Sequence, residues 1–221
     1  MVFWLLIGVA TLAQPAVPPE RQWNFTVFSA QPIDDLTYLP RPDATPVPLV
    51  FYPTARALRY SYSGPATLRF YHARTGAIAV EIDVPPEIRT SLLILSARGH
   101  ATDAALHYEA TVVNDDALSH APGSLLILNF SGLKLSGSIN RQPMTLLNGI
   151  NAPIRVGRDA AINLRTPFKT RTYQAYAETI ALEESGRALL LLLPPYRQGS
   201  LEVQSRVLVD SPLDAPGAKR R

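Results

Sequence analysis

The feature that most constrains the fold is a period-two alternation of apolar and polar residues. It is clearest where Leu133, Leu135, Gly137 and Ile139 alternate with Lys134, Ser136, Ser138 and Asn140. This period places one set of side chains in a core and the other in water, as in a half-buried strand. Only residues 172–193 favour a helix by composition, and Ser185-Gly186 interrupt them, so we predict strands there too.

Short turn motifs separate the strands of the central stretch, residues 122–156. Only Ser131-Gly132 lies between the apolar run Leu125 to Phe130 and the alternating segment, which predicts an antiparallel hairpin. Asn140-Arg141 and Asn148-Gly149 predict two further tight turns. The central stretch is therefore predicted to form a β-meander.

The region from Leu49 shows the same alternation of apolar and polar residues, again interrupted by turn motifs. Leu58, Tyr60 and Tyr62 face one way, and Ser63-Gly64-Pro65 predicts a hairpin to the strand that ends at His72. Thr75-Gly76 predicts the next turn, into a strand where Glu81 and Asp83 share the solvent side. Strands at this spacing are typical of a sandwich.

The predicted fold class is all-β: an antiparallel β-sandwich, either one large sandwich or two small halves that share a rough plan without a residue-level repeat. Residues 98–105 are polar and irregular, which favours a boundary there. The predicted organisation is a signal peptide at 1–13, a proline-rich segment at 14–48, a first half at 49–97, a second half at 106–210 and a disordered basic tail at 211–221.

The start of the chain predicts export. An apolar run from Val2 ends in small residues at Ala13 and is followed by prolines, which is typical of a secretory signal peptide cleaved after Ala13. The run lacks the Lys or Arg that normally precedes it, which leaves open a start upstream of Met1. No run reaches the roughly 20 apolar residues of a membrane span, so the mature chain is predicted to have no transmembrane helix.

The composition agrees with the predicted export. The chain has no cysteine, which is compatible with a periplasmic or cell-surface protein stabilised by its core alone. A net charge of +3 is too small to predict a nucleic-acid partner.

A resemblance rests on the run that begins at Val112, VVNDDALSHAPGSLLILNFSGLKLSGSINRQPMTLLNGINAPIRV. This run resembles the strand-and-turn plan of small, uncharacterised exported bacterial β-sandwich proteins of unknown function. It covers about a fifth of the chain and consists of turn residues. The resemblance implies a cell-envelope protein and transfers no site residue.

The sequence contains no GxSxG elbow, HExxH pair, glycine-rich phosphate loop or cysteine nucleophile. His100, Asp103 and His107 form the one cluster with the spacing of metal ligands, but they lie in a predicted loop, where solvated side chains are the simpler interpretation. We therefore predict a non-enzymatic protein with no catalytic residue, cofactor or metal.

Two sets of residues are candidates for ligand binding. Tyr60, Tyr62 and Tyr71 would form a sugar-stacking platform if their rings were exposed, although core packing beside Leu58 explains the first two as well. A basic run would meet anionic envelope polymers or lipid head groups, with a solvated face as the alternative. It consists of Arg155, Arg158, Arg165, Lys169 and Arg171.

The leading functional hypothesis is an exported, non-enzymatic β-sandwich protein with a structural, binding or assembly role in the bacterial cell envelope. Its partner would be an envelope protein or a glycan. One alternative is a carbohydrate-binding domain or weak glycan-active enzyme that uses the tyrosines. Another is a periplasmic assembly chaperone that offers a sheet edge to a partner strand.

Overall fold

A computed structural model describes residues 20–98, 107–183 and 186–210, and it confirms the all-β prediction. These residues form seventeen strands and contain no helix. No helical segment suited to crossing a bilayer is therefore found in these ranges. The predicted signal peptide and basic tail lie outside them.

The strands follow one another in two groups, residues 21–114 and 124–210, which we call the first and second sandwich. They are β1 (Arg21–Ser29), β2 (Leu36–Tyr38), β3 (Val47–Pro48), β4 (Tyr60–Gly64), β5 (Thr67–His72), β6 (Ile78–Asp83), β7 (Thr90–Ala97), β8 (Tyr108–Asn114), β9 (Ser124–Asn129), β10 (Leu135–Ile139), β11 (Gln142–Leu146), β12 (Gly149–Ile150), β13 (Ile154–Arg155), β14 (Asp159–Phe168), β15 (Arg171–Ala181), β16 (Arg187–Leu193) and β17 (Gln204–Asp210).

The first sandwich consists of two four-stranded sheets. Its inner sheet has the order β4-β1-β7-β8, and its outer sheet has the order β3-β2-β5-β6. Aromatic rings fill the core between them: Phe25 packs against Tyr60 at a centroid distance of 5.4 Å and against Phe70 at 5.8 Å. These contacts follow from the alternation, because Phe25, Tyr60 and Phe70 all lie on the inward face of their strands.

The second sandwich repeats this plan. Its inner sheet has the order β12-β9-β16-β17, with β13 also paired to β9, and its outer sheet has the order β11-β10-β14-β15. In each sandwich the first strand runs parallel to the penultimate one, β1 to β7 and β9 to β16, whereas all other pairs are antiparallel. The same strand order therefore occurs twice, in the same sequence along the chain.

The two inner sheets pack face to face and make four layers in all. Alternate residues of β9 point in opposite directions: Leu125 and Ile127 enter the core of the second sandwich, while Leu126 and Leu128 face the first sandwich. This middle layer, which we call the shared core, excludes water from both inner sheets. Its members are Phe28, Leu92, Ile94, Val113, Leu126, Leu128, Leu189, Leu191 and Leu208.

The shared core explains the unbroken apolar runs of β7, β9 and β16. A strand with one wet face alternates, whereas a strand covered on both faces is apolar at successive positions. In β16 every residue from Ala188 to Leu192 is fully buried. The segment that favours a helix by composition forms strands instead, β15 (Arg171–Ala181) and β16 (Arg187–Leu193), as predicted.

Several predicted hairpins are wrong because the tight turns carry the chain between layers. Ser131-Gly132 leads from β9 in the inner sheet to β10 in the outer sheet. Asn129 directs this turn: its Oδ1 accepts from the Ser131 amide at 3.3 Å, and its Nδ2 donates to the Leu133 carbonyl at 3.2 Å. Strand β10 has no place beside β9, because β9 already pairs with β12 and β13 on one side and with β16 on the other.

Of the other predicted turns, two carry the chain to a different sheet and two close hairpins. Asn148-Gly149 crosses from β11 to β12, and Ser63-Gly64-Pro65 crosses from β4 to β5, so neither closes a hairpin. Asn140-Arg141 does close one, between β10 and β11, and both residues have positive φ, 49° and 67°. The Thr75-Gly76 turn joins β5 to β6 as predicted.

Both predicted boundaries of the first half require correction. Strand β8 (Tyr108–Asn114), assigned to the second half at 106–210, pairs with β7 in the first sandwich, so the first sandwich extends to Asn114 and does not end at 98–105. Residues 21–48, assigned to a proline-rich segment, contribute β1 to the middle of the inner sheet and β2 and β3 to the outer sheet. Trp23 and Phe25 are buried there. Leu58 was expected to face the core with Tyr60, yet it is 62% exposed because it precedes β4.

The shared core should be a major source of stability. We expect Leu128→Ala to lower the free energy of unfolding by about 2–5 kcal/mol, because it removes a fully buried side chain that both sandwiches enclose. Urea unfolding followed by circular dichroism measures the loss. Leu118→Ala is the matched control, since Leu118 is 99% exposed. Equal stability of the two variants would contradict this role.

Candidate functional site

A cleft of about 670 Å³ opens where the shared core ends. It lies beyond the carboxyl ends of β1, β7, β9 and β16, and both sandwiches line it. Phe28 and Ile94 contribute apolar surface from the first sandwich, and Phe130, Leu191 and Leu193 contribute it from the second. The cleft is thus a solvent-accessible continuation of the shared core.

Polar groups stand at the mouth of this cleft. Glu109 on β8 accepts a hydrogen bond from the Ser96 hydroxyl at 3.3 Å. Arg206 on β17 donates from Nη1 to the Ser205 carbonyl at 2.7 Å, and Gln204 donates to the Pro194 carbonyl at 2.8 Å. Because β8 and β17 belong to different inner sheets, the two sandwiches place opposite charges on this cleft.

Tyr196 is the most exposed aromatic residue of the cleft lining. It is 86% exposed and follows directly after β16 and Pro194-Pro195. An exposed ring beside an apolar cleft can cover a bound apolar group.

A buried ionic cluster joins the two sandwiches elsewhere along the interface. Asp115 Oδ2 lies 2.5 Å from Arg56 Nη1. Arg187 holds Asp210 through Nε at 2.8 Å and Nη2 at 2.6 Å, and its Nη1 donates to the main-chain carbonyls of Asp115 and His120. The side chains of Arg56, Asp115 and Arg187 are 10%, 1% and 11% exposed, so the cluster is shielded from water. The cluster therefore links the segment between β8 and β9, which carries Asp115, to strands β16 and β17 of the second sandwich.

His120 lies in this cluster and is fully buried. Burial lowers the pKa of His120 below its usual 6.5, and the neighbouring Arg187 guanidinium lowers it further. Asp115 opposes this shift and Arg56 reinforces it. The imidazole therefore favours its neutral form in the folded protein.

This burial predicts a stability that falls on acidification. Because the pKa of His120 is lower in the folded than in the unfolded chain, the unfolded chain binds more protons, and stability decreases as the pH falls below about 6.5. We expect His120→Gln to reduce the slope of unfolding free energy against pH between 7 and 5. Urea unfolding at a series of pH values measures it.

His72→Gln provides the comparison for that experiment. The pKa of His72 is also lowered, by burial and then by His107 and Arg74, but its ring is only partly buried. This variant should therefore retain most of the slope. A slope unchanged by His120→Gln would contradict the assignment.

The structure does not assemble the predicted tyrosine platform. Tyr60 and Tyr62 are each 7% exposed and belong to the core of the first sandwich. Their hydroxyls are engaged: Tyr60 accepts from the Val50 amide at 2.8 Å, and Tyr62 donates to the Pro65 carbonyl at 3.1 Å. Tyr71 is half-buried on β5. Core packing, the alternative interpretation, explains the first two rings.

The predicted basic residues are exposed but do not form one patch. Arg155 lies on β13 and Arg158 lies just before β14, whereas Arg165 lies six residues into β14. Six residues of extended strand span roughly 20 Å. Lys169 and Arg171 lie still further along, at the tip of the β14–β15 hairpin.

The predicted histidine cluster is only partly described. His100 and Asp103 lie outside the described residues, while His107 lies beside His72, with 2.8 Å between Nδ1 and Nε2. In the ranges that the structure covers, no group of three or more His, Asp or Glu side chains is placed to hold a metal ion.

Comparison with known proteins adds no assignment. No protein-family model matches the chain, and the search of curated proteins gave no match.

Proposed function

We propose that this protein is an exported, non-enzymatic β-sandwich protein that has a structural, binding or assembly role in the bacterial cell envelope. In this proposal it holds an apolar, extended segment of a partner polypeptide in the cleft between its sandwiches. The observation that carries the proposal is the apolar cleft itself, which continues a core made by both sandwiches.

The volume of the cleft and its apolar lining support the binding of a ligand there. A volume of about 670 Å³ falls within the roughly 300–1,000 Å³ of typical ligand sites. Side chains such as Ile94, Phe130 and Leu193 line it, so insertion of aliphatic or aromatic groups would remove apolar surface from water on both sides. The few polar groups at the mouth would orient the ligand rather than supply most of the affinity.

Edge strands support a polypeptide as that ligand. Within the described residues, β8 ends the inner sheet of the first sandwich and β17 ends that of the second. An edge strand offers main-chain donors and acceptors to an added chain. Glu109 on β8 and Arg206 on β17 would complement charged or polar groups on such a segment.

Filling the cleft tests the proposal. The probe is a fluorescent, amidated octapeptide of alternating leucine and serine, with an all-serine octapeptide as its comparison. Ser96 lines the cleft and is exposed, so Ser96→Trp should fold normally and place an indole in the binding space. We expect the variant to weaken binding of the leucine peptide at least about tenfold, measured by fluorescence anisotropy.

Leu118→Trp is the matched control because Leu118 is 99% exposed and is not among the residues of the cleft. It should leave the affinity unchanged. Equal binding of both peptides, or binding unaffected by Ser96→Trp, would overturn the assignment of this cleft.

Export is tested independently of ligand binding. If the signal peptide is removed after Ala13, the protein recovered from an envelope fraction should begin at Gln14 on amino-terminal sequencing. A mature chain that retains Val2 to Ala13 would contradict export by this route.

A further inference from the structure

The β14–β15 hairpin ends in a tip, residues 167–173, that projects past the neighbouring strand β10. The last residue of β14 that pairs with β10 is Arg165, whereas β14 and β15 stay paired as far as Phe168 and Arg171. Three further residues of extended strand span roughly 10 Å. Every residue of the tip is exposed, so the tip is accessible to a partner.

The tip lies at the same end of the second sandwich as the cleft but is separate from it. Strand β10 begins directly after the turn that follows β9, and Ser136 near its start pairs with Arg165 of β14. The tip therefore projects at the end where β9 finishes. None of its residues lines the cleft, so a ligand of the tip can be tested apart from the peptide.

Two aromatic rings are partly uncovered on the tip. Phe168 is 48% exposed and Tyr173 is 40% exposed. Their ring centroids lie 6.4 Å apart in an edge-to-face arrangement, so the two rings form one continuous surface. Aromatic rings that are exposed in this way can enter the head-group layer of a bilayer.

Two cations accompany these rings. The Lys169 Nζ atom lies 5.5 Å from the centroid of the Phe168 ring, and Arg171 pairs with Phe168 across the hairpin. Neither cation belongs to an ion pair among the described residues. The carboxylates of the hairpin, Asp159 and Glu178, lie roughly 20 Å or more from Arg171 along the strands. The tip is therefore the positive end of this hairpin.

The loop beside the tip does not cancel this charge. The Val203 amide donates to the Ala175 carbonyl at 3.1 Å, which places the loop of residues 194–203 next to β15. This loop carries one arginine and one glutamate. The net positive charge of this surface is thus the charge of the tip itself.

The geometry of the turn does not explain why a lysine occupies its first position. Lys169 has a φ of 53°, in the left-handed region that disfavours a residue with a Cβ atom. Glycine would suit the backbone of this turn better. The side chain of Lys169 therefore calls for a role in contacts that the ammonium group makes.

We propose that the tip binds the surface of a lipid bilayer that carries anionic head groups. Phe168 and Tyr173 enter the head-group layer, while Lys169 and Arg171 meet the lipid phosphates. A bilayer suits the tip better than a soluble polyanion does, because a bilayer offers apolar surface beneath its charges. This inference goes beyond the role of the cleft and does not depend on it.

Co-sedimentation with phospholipid vesicles tests the requirement for anionic lipid. The chain that begins at Gln14 is used, since it retains every described strand and lacks the apolar run Val2 to Ala13, which would itself bind lipid. Vesicles in which about one lipid in three is phosphatidylglycerol should bind it at least about tenfold more tightly than vesicles of phosphatidylcholine alone.

Lys169→Gly separates a role in binding from a role in folding. It should weaken binding to the anionic vesicles about fivefold, the effect of one cation near an anionic surface. Its melting temperature should be nearly unchanged, because glycine accepts the positive φ of the turn. Arg171→Gln should weaken binding by a similar factor. Arg155→Gln is the matched control, since Arg155 is exposed and pairs with Ser124 at the opposite end of β9.

Tryptophan fluorescence decides whether the tip enters the bilayer. In the chain from Gln14, Trp23 is the only tryptophan, and it is buried. Phe168→Trp adds an indole at the tip, and anionic vesicles should shift its emission to shorter wavelength, because the head-group layer is less polar than water. Tyr52→Trp is the control. Tyr52 is 42% exposed and lies in the first sandwich near the end of β17, so its replacement should show no shift.

Three results would overturn the proposal: no preference for anionic vesicles, an affinity unchanged by both Lys169→Gly and Arg171→Gln, or no emission shift from Phe168→Trp. Binding of dextran sulfate that depends on both cations, without an emission shift on vesicles, would assign the tip to a soluble polyanion instead. The leucine peptide should bind all the tip variants equally well, so failure of either proposal leaves the other standing.

Discussion

The burial of apolar side chains between the two inner sheets is the interaction on which the rest of the structure depends. Each inner sheet packs one face against the outer sheet of its own sandwich and the other face against the second inner sheet. The strands of the inner sheets therefore contribute side chains to two cores. The cleft lies where this contact ends, beside the start of β17, and residues of both sandwiches line it.

The sequence predicts strands well because alternation is a local signal. The alternating residues of β10 and β14 and the exposed Glu81 and Asp83 of β6 lie as expected, and the leucine run of β16 is the buried strand that its composition indicates. Ala79 of β6 is the exception, since it is buried on the face predicted to meet solvent. Strand pairing is predicted less well. A tight turn such as Ser131-Gly132 has the same residues whether it joins neighbours in a sheet or crosses to another layer, and long-range packing decides between the two.

The candidate cleft was missed for a related reason. The cleft brings together residues as distant in sequence as Phe28 and Leu193. None of these residues belongs to a motif, so spacing could not connect them. One signal was available: apolar runs without alternation, in β7, β9 and β16, indicate that a second covering layer exists, and they locate the interface although not its openings.

The repeated strand order has a consequence for how this chain reaches its native state. In each sandwich the first strand must find a parallel partner roughly sixty residues away, a non-local step that slows folding. During synthesis the first sandwich emerges from the ribosome before the second. Until the second sandwich folds, Phe28, Leu92 and Ile94 form an apolar surface that is exposed to water. A first sandwich that folded before the second would therefore be prone to aggregation, and packing of the second sandwich would cover the exposed apolar surface.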